Sequence, residues 1–318
     1  MGWEVILPFL GPIAPLLVDP EITDILVNGA GGAFIEKKGR LQPVPDFVLS
    51  EKFLQVAVRN IARILGDEVS AEQPLLDARL PDGSRVAAVL PPCAVAGTVL
   101  AIRKFQGLRY SAEELVRRET LAPEVLGRLR HAVEARETIL ISGGTGTGKT
   151  TLLNALAGLI PPEERVVVIE DTSEIQLALP NVVRLEARRE QPPVPAVTIR
   201  DLLKTTLRLR PDRILLGEVR GGEAFDLLQA LNTGHAGTLA TLHASSAGQA
   251  LARFTTCVLL AGVDLPYRAL RSNLAEALDL LVHLERRQGR RLVTQVFRVR
   301  GYDAALDRFD LEALYERA

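Results

Sequence analysis

Thr138-Ile139-Leu140-Ile141-Ser142-Gly143-Gly144-Thr145-Gly146-Thr147-Gly148-Lys149-Thr150-Thr151-Leu152-Leu153-Asn154-Ala155-Leu156-Ala157-Gly158 joins three kinds of sequence without a break. Thr138 to Ser142 is a short apolar run of strand length, a glycine-rich turn follows, and the apolar spacing after Lys149 is that of a helix. The turn satisfies G-x-x-x-x-G-K-[ST], and its flanks are the strand and helix that this motif requires. Glycines let the backbone curl closely around a phosphate with successive N–H groups pointing inward, and the helix start adds a favourable dipole. Lys149 is placed to reach the β- and γ-oxygens, and the Thr150 hydroxyl to ligate Mg²⁺. A nucleoside triphosphate site is therefore expected at Gly143, Gly144, Thr145, Gly146, Thr147, Gly148, Lys149, Thr150 and Thr151. A glycine-rich turn without a ligand is the alternative, and the flanking strand and helix weigh against it.

Downstream, Arg165 to Asp171, Arg213 to Val219 and Gly237 to Ala244 read as further buried strands joined by helical or mixed segments, the alternation of a parallel α/β sheet. Hydrolysis of a bound triphosphate needs carboxylates at the strand ends, near Mg²⁺ and the attacking water. Glu170 and Asp171, with Glu174 nearby, end one strand, and Glu218 follows the apolar run of another. Glu218 is read as positioning Mg²⁺ or the water, and Glu170 as the second candidate for general base; a helix cap or a solvated carboxylate is the plainer reading of each. His235 and His243 bracket the third strand, where an imidazole could sense the γ-phosphate or fix an acidic side chain. Zinc is not expected, since no third and fourth ligand stand at suitable spacing.

The whole chain has 318 residues, a length for about two domains. Its 38 basic against 39 acidic side chains, 47% hydrophobic and 24% charged residues describe a globular protein, not a disordered one. The near-neutral balance lacks the basic excess of a phosphate-neutralising nucleic-acid binder. Cys93 and Cys257 make no disulfide framework, which suits a reducing compartment. The run from Val5 to Val18 contains three prolines and is read as a buried segment, not as an anchor or signal. From Ile22 to Phe105 short strands surround one helix: a hairpin turns at Lys38-Gly39, another at Pro81-Asp82-Gly83, and a helix runs from Ser50 to Gly66 with Phe53, Ala57, Ile61, Ile64 and Leu65 on one face. Alternation in residues 98–105 puts Arg103 on the side of Val99 and Ala101. Ser111 and Glu114 form a capping box that opens the second half. The expected division is an N-terminal α+β domain over 1–106, a linker over 107–112 and the phosphate-binding domain over 113–318. The tail reads as a hairpin across Gly289 and a short amphipathic ending.

Taken together, GGTGTGKT (143–150), VVVIEDTSEIQL (166–177), LRLRPDRILLGEVRGGEAFDLLQALNTGH (207–235) and GTLATLHA (237–244) resemble the Walker A, Asp box, atypical Walker B and His box of the secretion traffic ATPases. ITDILVNG (22–29), LPDGSRV (80–86) and LAIRKF (100–105) extend the resemblance into the first half. Within that superfamily the chain is most similar to the conjugative-transfer and tight-adherence pilus ATPases; it lacks the tetracysteine module of type II assembly ATPases. The resemblance implies a RecA-like P-loop domain preceded by a small PAS-like α+β domain, ATP and Mg²⁺ as ligands, and a cytoplasmic ring of six subunits. It further implies peripheral placement at the bacterial inner membrane beside secretion or pilus platform proteins. Arg85 and Arg103 match the phosphate-contacting arginines of the family's N-terminal domain, while Arg208, Arg210 and Arg220 flank the acidic strand. Two rival readings share the core fold: a RecA-like motor translocating nucleic acid, against which the missing basic stripe and aromatic row count, and a nucleotide-gated scaffold without turnover.

Overall fold

The computed structural model describes residues 11–80, 82–105, 110–190 and 194–317, and divides the chain into two units, 1–108 and 109–318. Residues 1–10, Pro81, residues 106–109, which include the first part of the expected linker, residues 191–193 and Ala318 thus lie outside the described residues.

In the first unit, α1 (Ala14–Val18) precedes β1 (Ile22–Asn28), β2 (Ala33–Lys37), β3 (Arg40–Pro43), α2 (Glu51–Ile64), β4 (Leu75–Arg79), β5 (Arg85–Val89) and β6 (Val99–Arg103). The strands form one antiparallel sheet in the order β3-β2-β1-β6-β5-β4. Lys38 and Gly39, at φ 50 and 74, make the two-residue turn between β2 and β3 that suits the twist of a hairpin. Along β6, Leu100 and Ile102 enter the core while Val99, Ala101 and Arg103 lie on the other face. Ser50 caps α2 by accepting the Phe53 N–H at 3.2 Å. The buried stripe of α2 is Leu54, Ala57, Val58, Ile61 and Ala62, whereas Phe53 and Ile64 are exposed, a correction to the expected face. The helix carries apolar residues on two overlapping stripes that share Ala57 and Ile61. The unbroken three-and-four spacing of the Leu54 set is the one that meets the sheet.

The second unit contains α3 (Ala112–Arg117), α4 (Pro123–Glu134), β7 (Ile139–Gly143), α5 (Lys149–Ala157), β8 (Val166–Glu170), β9 (Val182–Glu186), α6 (Ile199–Thr206), β10 (Arg213–Val219), α7 (Glu223–Asn232), β11 (Leu239–Leu242), α8 (Ala247–Leu259), α9 (Tyr267–Ala277), β12 (Leu280–Arg287), β13 (Arg290–Asp303) and β14 (Arg308–Glu316). Its sheet runs β14-β13-β12-β7-β11-β10-β8-β9, parallel from β12 to β9 and antiparallel through β13 and β14. Alternate strand residues enter two cores. Ile139, Ile141, Val166, Val168 and Leu215 pack with α3, α4 and α5, and Leu140, Val167, Ile169, Ile214 and Leu216 with α6 to α9. Helices on both faces explain why these strands read as continuous apolar runs. The expected amphipathic ending is an edge strand, β14, paired with β13. β9, with no residue fully buried, adds a second edge that its sequence did not announce. Among the described residues no helix is long and apolar enough to cross a membrane.

Candidate functional site

β7 delivers the chain to Gly143, and α5 begins at Lys149 behind Gly148, whose φ of 97 is left-handed. A glycine there turns the helix start toward the loop at no steric cost and supplies no side chain to cap the first N–H groups. The Thr147 hydroxyl donates to the Gly144 carbonyl at 2.9 Å. Lys149 Nζ curls back over the loop and donates to the carbonyls of Gly143 and Gly144 at 3.2 and 3.0 Å. Burial pushes its ammonium below the usual lysine range, opposed by the nearby Glu218 carboxylate. Thr150 and Thr151 follow, half-buried, on the first turn of α5.

Because β11 lies between β7 and β10, the residue after β11 stands between the P-loop and the end of the acidic strand. That residue is His243. Its Nδ1 is 3.4 Å from Lys149 Nζ and its Nε2 2.9 Å from Glu218 Oε1. An ammonium can only donate, so Nδ1 accepts, and the ring proton sits on Nε2 and is given to Glu218. Burial, then the Lys149 charge, lowers the imidazole's pKa and favours this neutral form. Glu218 Oε2 accepts from Arg220 Nη2 at 2.8 Å, and Arg220 Nη1 donates to Asp171 at 3.0 Å. Lys149, His243, Glu218, Arg220 and Asp171 thus form one polar chain across four strand ends.

Glu170 ends β8 with 3% exposure. Its Oε1 accepts the N–H groups of Glu174 and Ile175 at 2.9 and 3.0 Å. Burial raises its carboxyl to about 7; the two N–H donors pull it down and the charges of Glu174 and Glu186 push it up further. A Cβ on Gly217 would lie 2.9 Å from Glu170 Cγ, so the glycine before Glu218 is what lets Glu170 pack against β10.

Within the second unit, not every expected residue joins this cluster. His235 precedes β11, at the edge opposite the P-loop, and its Nδ1 is 3.1 Å from the Ala230 carbonyl near the end of α7. It is a helix-end histidine here, and its expected place beside the phosphate site is corrected. Arg208 and Arg210 are exposed and also precede their strand. Arg85 and Arg103 face each other across β5 and β6, in a row from Arg79 to Asp24 on the first unit's sheet. Arg103 Nε is 3.9 Å from Asp24. Two residues escaped sequence reasoning. His283 is buried on β12 with its Nδ1 2.9 Å from the Ser142 hydroxyl, and Arg291 Nε donates to the Gly146 carbonyl at 3.0 Å. The hairpin carrying them was legible, but not that it lies against the loop. Beside the loop a cavity of about 600 Å³ is lined by Gly144, Thr145, Thr147, His243, Glu285 and Arg286, among others.

Residues 9–302 match the family described as type II/IV secretion system protein. The type IV secretion system protein PtlH of Bordetella pertussis is 38% identical over 305 residues, covering 88% of this chain and 90% of PtlH. The conjugal transfer protein TrbB of Rhizobium radiobacter is 36% identical over 290 residues, covering 90% and 86%. The crystal structure of the VirB11 ATPase from the Brucella suis type IV secretion system, in complex with sulphate, superposes with a TM-score of 0.51 at 32% identity, over 93% of this chain and 94% of that one. The architecture is accordingly α/β, a RecA-like P-loop domain preceded by a small α+β domain.

Proposed function

The chain belongs to the type II/IV secretion system protein family, and from that premise we propose that it is an ATPase that powers a secretion, conjugation or pilus machine by hydrolysing ATP. The observation that carries this reading is the polar chain from Lys149 through His243 to Glu218 and Arg220, which ties the phosphate loop to the acidic strand. When ATP enters, Lys149 exchanges the Gly143 and Gly144 carbonyls for β- and γ-phosphate oxygens, a stronger charge-assisted pairing. That exchange moves the ammonium relative to His243 Nδ1, and so the state of the γ-phosphate is felt by the carboxylate that His243 holds. Glu218 orients the water that attacks the γ-phosphorus in line, and Glu170, with a pKa near neutrality, is the second candidate to take its proton.

The residues suit Mg²⁺ in the manner of P-loop sites. The donors are one hydroxyl, Thr150, and the outlying carboxylate of Glu218, with no cluster of three His, Cys, Asp or Glu among the described residues to act as an all-protein cage. Mg²⁺, when bound there, neutralises charge on the phosphate oxygens. The chain works as a homo-oligomeric ring, six subunits by the resemblance, peripheral at the inner face of the bacterial inner membrane and in contact with platform proteins there.

Two variants test the reading. Lys149→Ala removes the cation of the loop and should abolish binding or turnover of Mg·ATP. Glu218→Gln keeps the shape and loses the charge, so nucleotide still binds while phosphate release falls roughly 10²-fold or more. Wild-type protein that binds ATP but releases no phosphate over multiple turnovers would identify a nucleotide-gated scaffold instead.

A further inference from the structure

Arg291 stands near the start of β13, in the hairpin whose other strand, β12, pairs with the P-loop strand. Its Nε donates to the Gly146 carbonyl at 3.0 Å, and its Cδ is 3.4 Å from the point a Cβ on Gly148 would occupy. The side chain therefore lies along the loop from Gly146 to Gly148. Across the hairpin Arg291 faces Arg286, and Arg290 faces Arg287, placements in which like charges repel. Arg287 relieves its charge on Glu285 at 2.8 Å and Arg290 on Glu119. Arg291 instead gives its Nε to a peptide carbonyl of the phosphate loop.

We propose that Arg291 is a positioning residue for the nucleotide, acting through the Gly146–Thr147 peptide. That peptide is planar and trans, so its C=O and N–H point in opposite directions. With the carbonyl held by Arg291, the Thr147 N–H points the opposite way, and in the proposed site that is the concave side, where the phosphates would bind. Gly146 sits at φ 71, in the left-handed region, and glycine has the most alternatives to lose at such a place. An external restraint has its largest effect at this position. The charged donor also polarises the peptide and strengthens the N–H at its other end. The gain appears as a loop already ordered before binding. This inference rests on the reading of residues 143–150 as an ATP site.

The test separates the hydrogen bond from the charge. Glutamine carries its amide nitrogen as many bonds from Cα as arginine carries Nε, so Arg291→Gln keeps a donor for Gly146 without the charge, and Arg291→Ser removes both. Arg290→Ala controls for disturbance of the hairpin. With the full-length chain and Mg²⁺ with a non-hydrolysable ATP analogue, calorimetry should show Kd raised about tenfold in Arg291→Ser. Arg291→Gln should stay within about threefold of wild type, and Arg290→Ala should be unchanged. In turnover, KM of Arg291→Ser should rise while kcat holds. An affinity unchanged in Arg291→Ser, an equal loss in Arg291→Gln, or the same loss in Arg290→Ala would each overturn the proposal while leaving the ATP reading intact. Failure of the wild type itself to bind the analogue would instead overturn the ATP reading, and this inference with it.

Discussion

Glu170 is a carboxyl group held where its charge is costly, and that cost has a pH signature. Its pKa is about 7 when folded against an ordinary 4.5. Between those values the folded protein binds the proton that the unfolded chain has released, so stability falls as pH rises through this window and levels off above it. The effect is on the order of 3 kcal/mol for a shift of this size. Thermal unfolding from pH 4.5 to 8 should show wild type losing stability relative to Glu170→Gln, whose amide does not titrate. Parallel curves for the two proteins would mean that Glu170 titrates as an ordinary carboxylate. The residue type was readable as an acid at a strand end. Its near-neutral pKa was not, because that depends on burial in the folded protein, where Gly217 lets Glu170 pack against β10.

At the scale of elements, β10 is anchored at its first residue. Arg213 is fully buried, with Nε 2.5 Å from Glu164 Oε2 and Nη2 2.7 Å from the Val133 carbonyl. Removing Arg213 takes the guanidinium away from Glu164 in the core and leaves that carboxylate with the half-exposed Arg136 alone, whose Nη2 is 3.3 Å away, so Arg213→Ala should destabilise toward the lower end of about 3–5 kcal/mol. Denaturant unfolding checks this, and Arg213→Met combined with Glu164→Gln should recover much of the loss, since neither charge then remains. A midpoint unmoved in Arg213→Ala would show the pair to be dispensable. The strand itself, with Glu218 near its end, was plain from the apolar run. Edge strands β9 and β14 were less so, because a strand with one open face and one free edge carries only a weak alternation.

For the whole molecule, Arg85 and Arg103 stand on the unit that carries no P-loop. They can reach a phosphate on the P-loop only if a hinge closes or a neighbouring subunit docks, and in the proposed ring either event makes turnover depend on assembly. Specific activity should therefore rise with protein concentration through the assembly range, and native mass with Mg²⁺ and an ATP analogue should centre on six subunits. Arg103→Ala should lower turnover more than nucleotide affinity. Activity independent of concentration, from a species that light scattering finds monomeric, would contradict the ring.

What the sequence determined by itself is what is contiguous in it. Strand, glycine loop and helix of the P-loop lie within residues 138–158, so local spacing alone specified their geometry. The capping of α2 and the turn at Lys38-Gly39 were specified in the same way. Strand polarity also offered a signal. The P-loop follows its strand, so His243 and Glu218 lie toward its edge of the parallel sheet, whereas His235, Arg208 and Arg210 precede theirs and fall at the other. The tertiary structure alone decided the joining of Lys149, Glu218 and His243, which requires β11 to enter between β7 and β10. It alone set Arg291 against Gly146, across a sequence separation of 145 residues. The physical reason is that strand order and hairpin placement are fixed by burial on both faces of the sheet. That quantity belongs to the packed molecule and to no single stretch of chain.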